Sequence, residues 1–167
     1  ERHMGTISQS LSQTGQFVYE ESVKVVGANG NQLSFRVLGP FRKATQVELT
    51  PSEAELLGIE APLARSGDLS SAGMCRLETE FGGIDVPLSV IIPQIHLHLS
   101  DTEATSARLT TGSKVRVDVI GDVTQVLEGV IVRVHPTYRA RLHIHPDIAR
   151  EQWMHTGMHV RIRDLQI

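Results

Sequence analysis

The segment VIIPQIHLHLS, residues 90–100, combines an apolar strand pattern with two histidines one residue apart. Side chains alternate between the two faces of an extended strand, so His96 and His98 share one face while Leu97 and Leu99 share the other. The leucines predict a core behind the strand, and two imidazoles side by side on a rigid strand form half of a metal site. This segment therefore predicts both a β-fold and the place of its chemistry.

A second pair of histidines, His143 and His145, follows in the segment RLHIHP, residues 141–146. The two pairs account for four of the eight histidines, and neutral imidazoles suit Zn²⁺ or a similar divalent ion. We expect the two pairs to share a metal. Lone histidines such as His3 and His135 are interpreted instead as surface or hydrogen-bonded residues.

Composition narrows the class of protein. The 167 residues suffice for one compact domain or two small ones, and 40% hydrophobic but only 4% aromatic residues predict an aliphatic core. A net charge of −3 argues against a nucleic-acid-binding surface or a polybasic membrane surface, and no apolar run has the length of a membrane span. The single cysteine, Cys75, fits a reducing, cytosol-like compartment and is expected to be a buried thiol rather than a nucleophile.

The order of strand and turn signals predicts a mainly β protein made of two small β-barrel domains capped by short helices. Residues 1–16 are interpreted as a flexible N-terminal arm, in which residues 1–3 resemble a tag remnant. Residues 17–93 are predicted to form the first β-barrel domain, and residues 94–167 the second, which carries the His-x-His motif. P-loop, dinucleotide-binding and serine-hydrolase motifs are absent from the sequence.

Capping boxes predict the starts of two short helices. Thr50 with a glutamate three residues later begins a helix over residues 50–57, and Ser100 with Glu103 begins another. Gly58 is expected to end the first helix, and the second helix is predicted to continue to Leu109, with Gly112 after it.

The two capped helices belong to a weak internal repeat that aligns residues 48–54 with residues 98–104. Glu48 and His98 then occupy the same position, two residues before a helix N-cap. Glu48 is therefore a candidate metal ligand, and an exposed glutamate at a strand end is the alternative.

Two further interpretations concern an anion-binding arginine and a different kind of metal site. Arg42 follows a strand end in the turn GPFRK, where a guanidinium could bind a phosphate or carboxylate, or remain a solvated charge. His96, His98 and Glu103 also match the first half of a cupin metal site. The place of Glu103 in the first turn of a capped helix argues against that interpretation.

Several segments resemble, in order and at matching spacing, the PduL family of phosphate propanoyltransferases, which are phosphotransacylases. The matching segments are GQF (15–17), VLGPFRKATQVELT (37–50), LGIEAP (57–62), RSGDL (65–69) and IHLHLS (95–100). The resemblance implies two β-barrel domains, one or two zinc ions, and exchange of a propanoyl or another short acyl group between coenzyme A and phosphate. It also implies a cytoplasmic location, inside a bacterial microcompartment for many members, with a homo-oligomer or lumen proteins as partners.

Carried over by motif, the resemblance implies particular roles. His96, His98 and His145 would bind one zinc ion, and Glu48 would bind the other. Arg42 would be the catalytic residue that binds phosphate. His143 is added as a further candidate ligand, because it stands where the family does not usually have histidine.

Two departures from the family lower the expected activity. The family has an earlier His-x-His-x-Ser motif, which this sequence does not contain, and Ile95 stands where the family has arginine. We therefore expect a phosphate acyltransferase with impaired activity. The alternative is a non-catalytic or degenerate PduL-like metal-binding β-barrel module that binds a ligand or partner.

Overall fold

The computed structural model describes residues 6–11 and 15–166. Within these ranges the protein consists mainly of strands, with a few short helices, and its sheets curve, one of them as a half-barrel. The predicted fold class is thus confirmed. The chain divides into two compact units, of which the first ends at Pro93 and the second begins at Gln94. The independence of these units as folding domains stays a prediction.

The first unit contains a seven-stranded sheet in the order β1-β2-β6-β7-β4, with β3 paired to β2 and β5 paired to β7. The short strands β4 and β5 run parallel to β7, and the other pairs are antiparallel. Its elements are β1 (Ile7–Ser10), β2 (Phe17–Val26), β3 (Gln32–Gly39), β4 (Val47–Glu48), α1 (Pro51–Leu57), β5 (Leu63–Ala64), β6 (Gly73–Thr79) and β7 (Gly82–Pro93).

The aliphatic core of the first unit includes Leu49, Leu57 and Val90, which are fully buried. The turn between β2 and β3 packs on the end of α1, because Asn29 and Asn31 both donate side-chain hydrogen bonds to the Leu56 carbonyl, at 3.0 and 2.7 Å. These bonds satisfy a helix-terminal acceptor that has no partner within the helix.

The second unit contains a five-stranded sheet in the order β11-β8-β10-β9-β12. Strand β8 lies between β11 and β10, antiparallel to the first and parallel to the second. Leu97 and Leu99 of β8 are buried in the core of this unit with Val117, Val130 and Val132, as the alternation predicted. The elements are β8 (His96–Leu99), α2 (Asp101–Ala107), β9 (Lys114–Ile120), β10 (Gln125–Val134), β11 (Arg141–His143), α3 (Pro146–Glu151) and β12 (His159–Gln166).

Both predicted capping boxes are confirmed. In α1 the Thr50 N–H donates to the Glu53 carboxylate at 2.7 Å, and the Glu53 N–H donates back to the Thr50 hydroxyl at 3.2 Å. The corresponding distances between Ser100 and Glu103 in α2 are 2.7 and 3.3 Å. Each box satisfies backbone donors that the first helical turn leaves unpaired.

The helix ends follow the prediction in one case only. Gly58 ends α1 in the left-handed conformation, with φ 63°. Helix α2 was predicted to continue to Leu109 but ends at Ala107, because Arg108 takes the left-handed conformation, with φ 57°. The Leu109 N–H then donates to the Ala104 carbonyl at 2.9 Å, so the backbone bond of this helix end forms without a glycine.

The N-terminal segment also differs from the predicted arm. Residues 7–10 form β1 on the edge of β2, with all four residues exposed. The other arm residues 1–5 and 12–14 lie outside the described residues. No helix in the described part of the chain has the length and apolar character needed to cross a membrane.

Candidate functional site

Three histidines meet on one face of the second unit. His143 of β11 stands directly opposite His96 of β8, and residues opposite each other in an antiparallel pair share a face. His98 is on this face too, two residues from His96. The ring centroids are 4.7 Å apart for His96 and His98, 4.8 Å for His96 and His143, and 4.4 Å for His98 and His143. We call these three residues the histidine cluster.

The histidine cluster fits a divalent metal ion. One nitrogen from each ring lies within 4.8 Å of the other two. Tetrahedral zinc with bonds of about 2.0–2.1 Å would need nitrogens about 3.4 Å apart, so rotations that move them by roughly 1.5 Å would complete the site. Three protein nitrogens with a fourth position open are typical of catalytic zinc sites.

The protonation states also favour metal binding. Burial lowers the pKa of His96 to about 4, and the nearby positive charge of Arg133 contributes. Burial lowers the pKa of His98 to about 3, and the neighbouring imidazoles of His143 and His96 contribute. Both rings are therefore neutral at pH 7, which is the state in which imidazole binds a metal.

His96 is also held in the right tautomer. Its Nδ1 lies 2.8 Å from the Gln94 carbonyl oxygen, which can only accept a hydrogen bond. The proton therefore sits on Nδ1, and Nε2 carries the lone pair that would bind a metal. Metal-binding histidines commonly have such a second partner, which fixes the ring orientation.

His145 takes a different place from the histidine cluster. It is buried and lies at the N-cap of α3, without a side-chain hydrogen bond to that helix end. Its ring is near enough to influence the pKa of His96, but among the described residues the group of converging ligand atoms contains His143 instead. The geometry thus favours His143 as the third ligand, whereas the sequence favoured His145. The metal-binding role of either residue stays a prediction.

Arg133 is a charged neighbour of the cluster that the sequence analysis did not single out. Strand β10 runs parallel to β8, and Arg133 stands beside His98 in the register. Its charge lowers the pKa of both His96 and His98. An arginine within the apolar run VIVRV was the available signal, because a charged residue in a central strand needs a reason to be there.

The cupin interpretation receives no support from Glu103. Its carboxylate accepts hydrogen bonds from the Ser100 N–H at 2.7 Å, the Ser100 hydroxyl at 2.8 Å and the Ala140 N–H at 3.2 Å. These bonds engage the carboxylate in the helix cap and lower its pKa. Glu103 is a structural residue.

The other two predicted site residues, Arg42 and Glu48, lie in the first unit and belong to one hydrogen-bond network. Arg42 donates to the Ser66 hydroxyl at 3.2 Å. The Gln46 amide donates to the same hydroxyl at 2.9 Å and to the Glu48 carboxylate at 2.6 Å, and its oxygen accepts from the Gly67 N–H at 2.8 Å. We call these five residues the Gln46 network.

Gln46 and Ser66 were not assigned a role from the sequence, although a signal for Gln46 was present. Gln46 is two residues before Glu48, as His96 is before His98, so its side chain shares the face of Glu48 along an extended chain. Ser66 lies far away in sequence, and only the folded chain brings it to Arg42. The network presents an exposed guanidinium and an exposed carboxylate, both held by neutral hydrogen-bonding groups.

Comparison with known proteins assigns the family. The family model described as phosphate propanoyltransferase matches residues 2–153. This chain belongs to the phosphate propanoyltransferase family. A phosphate propanoyltransferase of Escherichia fergusonii is 37% identical over 145 residues, which cover 86% of this chain and 69% of the relative. The Salmonella typhimurium phosphate propanoyltransferase is 37% identical over 142 residues (84% and 68%), and that of Shewanella putrefaciens 36% over 155 residues (92% and 74%).

The resemblance predicted from the sequence motifs is therefore confirmed. Membership of the phosphate propanoyltransferase family identifies the chain as a phosphotransacylase-type protein, an acyltransferase by class. The match to the family spans the Gln46 network and the histidine cluster.

Proposed function

We propose that this chain is a phosphate acyltransferase that exchanges an acyl group between coenzyme A and phosphate, and that its histidine cluster holds a zinc ion. The observation that carries the proposal is the convergence of three imidazoles on one sheet face in a chain of this family. The low pKa values of His96 and His98 support it, since neutral rings bind a metal without first losing a proton.

The proposed reaction needs no protein nucleophile. An oxygen of phosphate attacks the carbonyl carbon of the thioester, the carbon–sulfur bond breaks, and coenzyme A leaves as the thiolate while acyl phosphate forms. A bound zinc ion supplies Lewis-acid stabilisation of negative charge on oxygen. The chain's own task is then to bind two anionic substrates and orient them for attack.

Arg42 is proposed as the phosphate-binding residue. Its guanidinium presents several donors in a planar fork that matches phosphate oxygens. The hydrogen bond to Ser66 restricts the side chain, and Gln46 in turn fixes Ser66, so the orientation of Arg42 is prepared before phosphate arrives. Arg133 adds positive charge next to the histidine cluster, which favours an anion there.

Glu48 is proposed as a ligand of a second metal ion. Its carboxylate is exposed, accepts a hydrogen bond from Gln46 and occupies the position before α1 that His98 occupies before α2. The substrates of the proposed reaction are an acyl-coenzyme A, with a propanoyl or another short acyl group, and phosphate. A location inside a bacterial microcompartment, with lumen proteins as neighbours, is proposed from the family resemblance.

The direct test mixes an acyl-coenzyme A with phosphate and follows the release of free thiol. We expect release that depends on phosphate, stops when a chelator removes the metal and returns when Zn²⁺ is added. Native mass spectrometry of the same samples counts bound metal ions. Zinc bound without phosphate-dependent thiol release would reject catalysis and leave a metal-binding module, whereas no bound zinc would reject the metal centre.

Arg42→Lys tests the phosphate role separately. Lysine keeps the charge but loses the planar fork, so we expect a higher KM for phosphate with unchanged zinc content. An unchanged KM for phosphate would remove Arg42 from the proposal.

A further inference from the structure

Tyr138 covers one face of a member of the histidine cluster. Its ring stacks on that of His98 with the centroids 4.0 Å apart and an interplanar angle of 19°. This is the closest and flattest contact that His98 makes with another ring, because His96 and His143 meet it at tilted angles of 49° and 52°. The packing is thus specific in orientation as well as in distance.

The two histidines of β8 are oriented in different ways. The ring of His96 is fixed by its hydrogen bond to the Gln94 carbonyl. For His98, no ring hydrogen bond is found among residues 6–11 and 15–166, although the residue is only 6% exposed. An imidazole without such a bond can rotate about its terminal torsion, and that rotation moves its ligating nitrogen off the metal.

The backbone holds Tyr138 in place. Residues 135–138 form a turn in which the Tyr138 N–H donates to the His135 carbonyl at 2.9 Å, and Pro136 takes the second position, which it favours in such turns. The His135 N–H donates to the Leu99 carbonyl at 3.2 Å, one residue beyond His98. The turn is therefore tied to the strand that carries His98.

Side chains of the turn support the same arrangement. The Thr137 N–H donates to Nδ1 of His135 at 3.3 Å, so this nitrogen carries the lone pair, and the Thr137 hydroxyl donates to it at 2.8 Å. The His135 ring then packs against Tyr138 with the centroids 5.1 Å apart. A row of three rings thus runs from the exposed His135 through Tyr138 to the buried His98.

We propose that Tyr138 is a positioning residue that holds the His98 ring in its metal-binding orientation by aromatic stacking, in the role that a hydrogen bond plays for His96. The inference rests on the proposed metal centre. It assigns to the 135–138 turn a function in tuning metal affinity, and it requires the aromatic ring of Tyr138 but not its hydroxyl.

The stacking of Tyr138 on His98 can be measured by NMR in the metal-free protein. The ring protons of His98 lie over the Tyr138 face and are shielded by it, so Tyr138→Leu is expected to move their NMR resonances downfield, while Tyr138→Phe leaves them nearly unchanged. Unchanged His98 resonances in Tyr138→Leu would show that no stack exists in solution and would overturn the proposal before any metal is added.

Metal affinity tests the function of the stack. We expect Tyr138→Leu to weaken Zn²⁺ binding by about 10- to 100-fold in competition with a chelating dye, and to alter the visible absorption bands of the Co²⁺-substituted protein. Tyr138→Phe is expected to restore both. Trp153→Leu, which removes an exposed aromatic ring of the same unit, is the matched control and should change neither.

The outcomes separate this inference from the proposed metal centre. If the wild-type protein binds no Zn²⁺, the proposed metal centre is overturned, and the proposed role of Tyr138 with it. If wild type binds Zn²⁺ but Tyr138→Leu binds it equally tightly and gives the same Co²⁺ spectrum, only the proposed role of Tyr138 is overturned.

Discussion

The two units contain the same local structure, but they differ in the burial of the residue two positions before the helix N-cap. Segments 48–59 and 98–109 each consist of a strand end, a capping box, a helix of seven residues and a left-handed last residue. The backbone hydrogen bond that closes each helix end, from the Ile59 N–H to the Ala54 carbonyl and from the Leu109 N–H to the Ala104 carbonyl, is 2.9 Å long in both. Yet Glu48 is exposed, whereas the corresponding His98 is buried.

The difference comes from the neighbouring strands. In the described sheet, β4 pairs with β7 on one side only, whereas β8 is enclosed between β10 and β11. A carboxylate is strongly stabilised by water and fits the open edge, while a neutral imidazole tolerates burial. The same local structure therefore presents a carboxylate to solvent in one unit and buries a neutral imidazole in the other.

Removing His98, the buried residue of the compared pair, should have the largest effect on zinc binding and activity. We expect His98→Ala to weaken Zn²⁺ binding and to lower thiol release by more than about 100-fold, because it deletes a proposed ligand rather than a supporting partner. His159→Ala, which removes an exposed histidine of the same unit, serves as the control. Zinc titration and the thiol assay measure both variants, and equal behaviour of the two would contradict the role of His98.

The burial of the histidines predicts a pH dependence of stability in the metal-free protein. The pKa values of His96 and His98 lie below the ordinary 6.5, at about 4 and about 3, so the unfolded chain binds more protons between these values. The free energy of unfolding should therefore fall as the pH decreases from 7 to 4.

Urea denaturation at several pH values measures this slope, and the difference between wild type and His98→Gln isolates the contribution of His98. We expect the slope of the variant to be shallower. Equal slopes would mean that His98 takes up its proton as easily in the folded chain as in the unfolded one.

The two capping boxes should contribute similarly, since their backbone hydrogen bonds have nearly the same lengths in both units. Thr50→Ala and Ser100→Ala are each expected to lower the free energy of unfolding by about 1 kcal/mol. Ser106→Ala, at an exposed position in α2, is the control for loss of a hydroxyl. If chemical denaturation gives changes of the same size for Ser106→Ala, the capping bonds are not the cause.

The smallest expected effect concerns the helix ends, where the two units differ in sequence. Gly58→Ala places a Cβ in the left-handed conformation, 3.0 Å from the Asn29 amide nitrogen, and should destabilise by about 1 kcal/mol. Arg108→Gly relieves the same conformation and should stabilise by about 0.5 kcal/mol. Thermal or urea unfolding measures the change in the free energy of unfolding for each variant. Changes of the same sign in the two variants would contradict this explanation.

Local patterns predicted much of this protein. The starts of α1 and α2, the burial of Leu97 and Leu99 and the shared face of His96 and His98 all depend on interactions within a few residues. The predicted end of α2 at Leu109 was wrong by two residues, because Arg108 takes a left-handed conformation and the helix ends at Ala107. Local signals state a preference, and packing can select a less favoured conformation.

Alternation along an extended chain was enough to predict a β-protein in which His96 and His98 share one face of a strand, because this pattern needs no knowledge of distant residues. The second pair does not follow the pattern, since β11 ends at His143 and His145 lies at the N-cap of α3. Strand register in the folded chain places His143, rather than His145, opposite His96. The register likewise brings Arg133 beside His98, and the 135–138 turn lays Tyr138 over it. These contacts join residues more than 30 positions apart, so the pairing of strands and the path of the turn create them, not the order of residues along one strand.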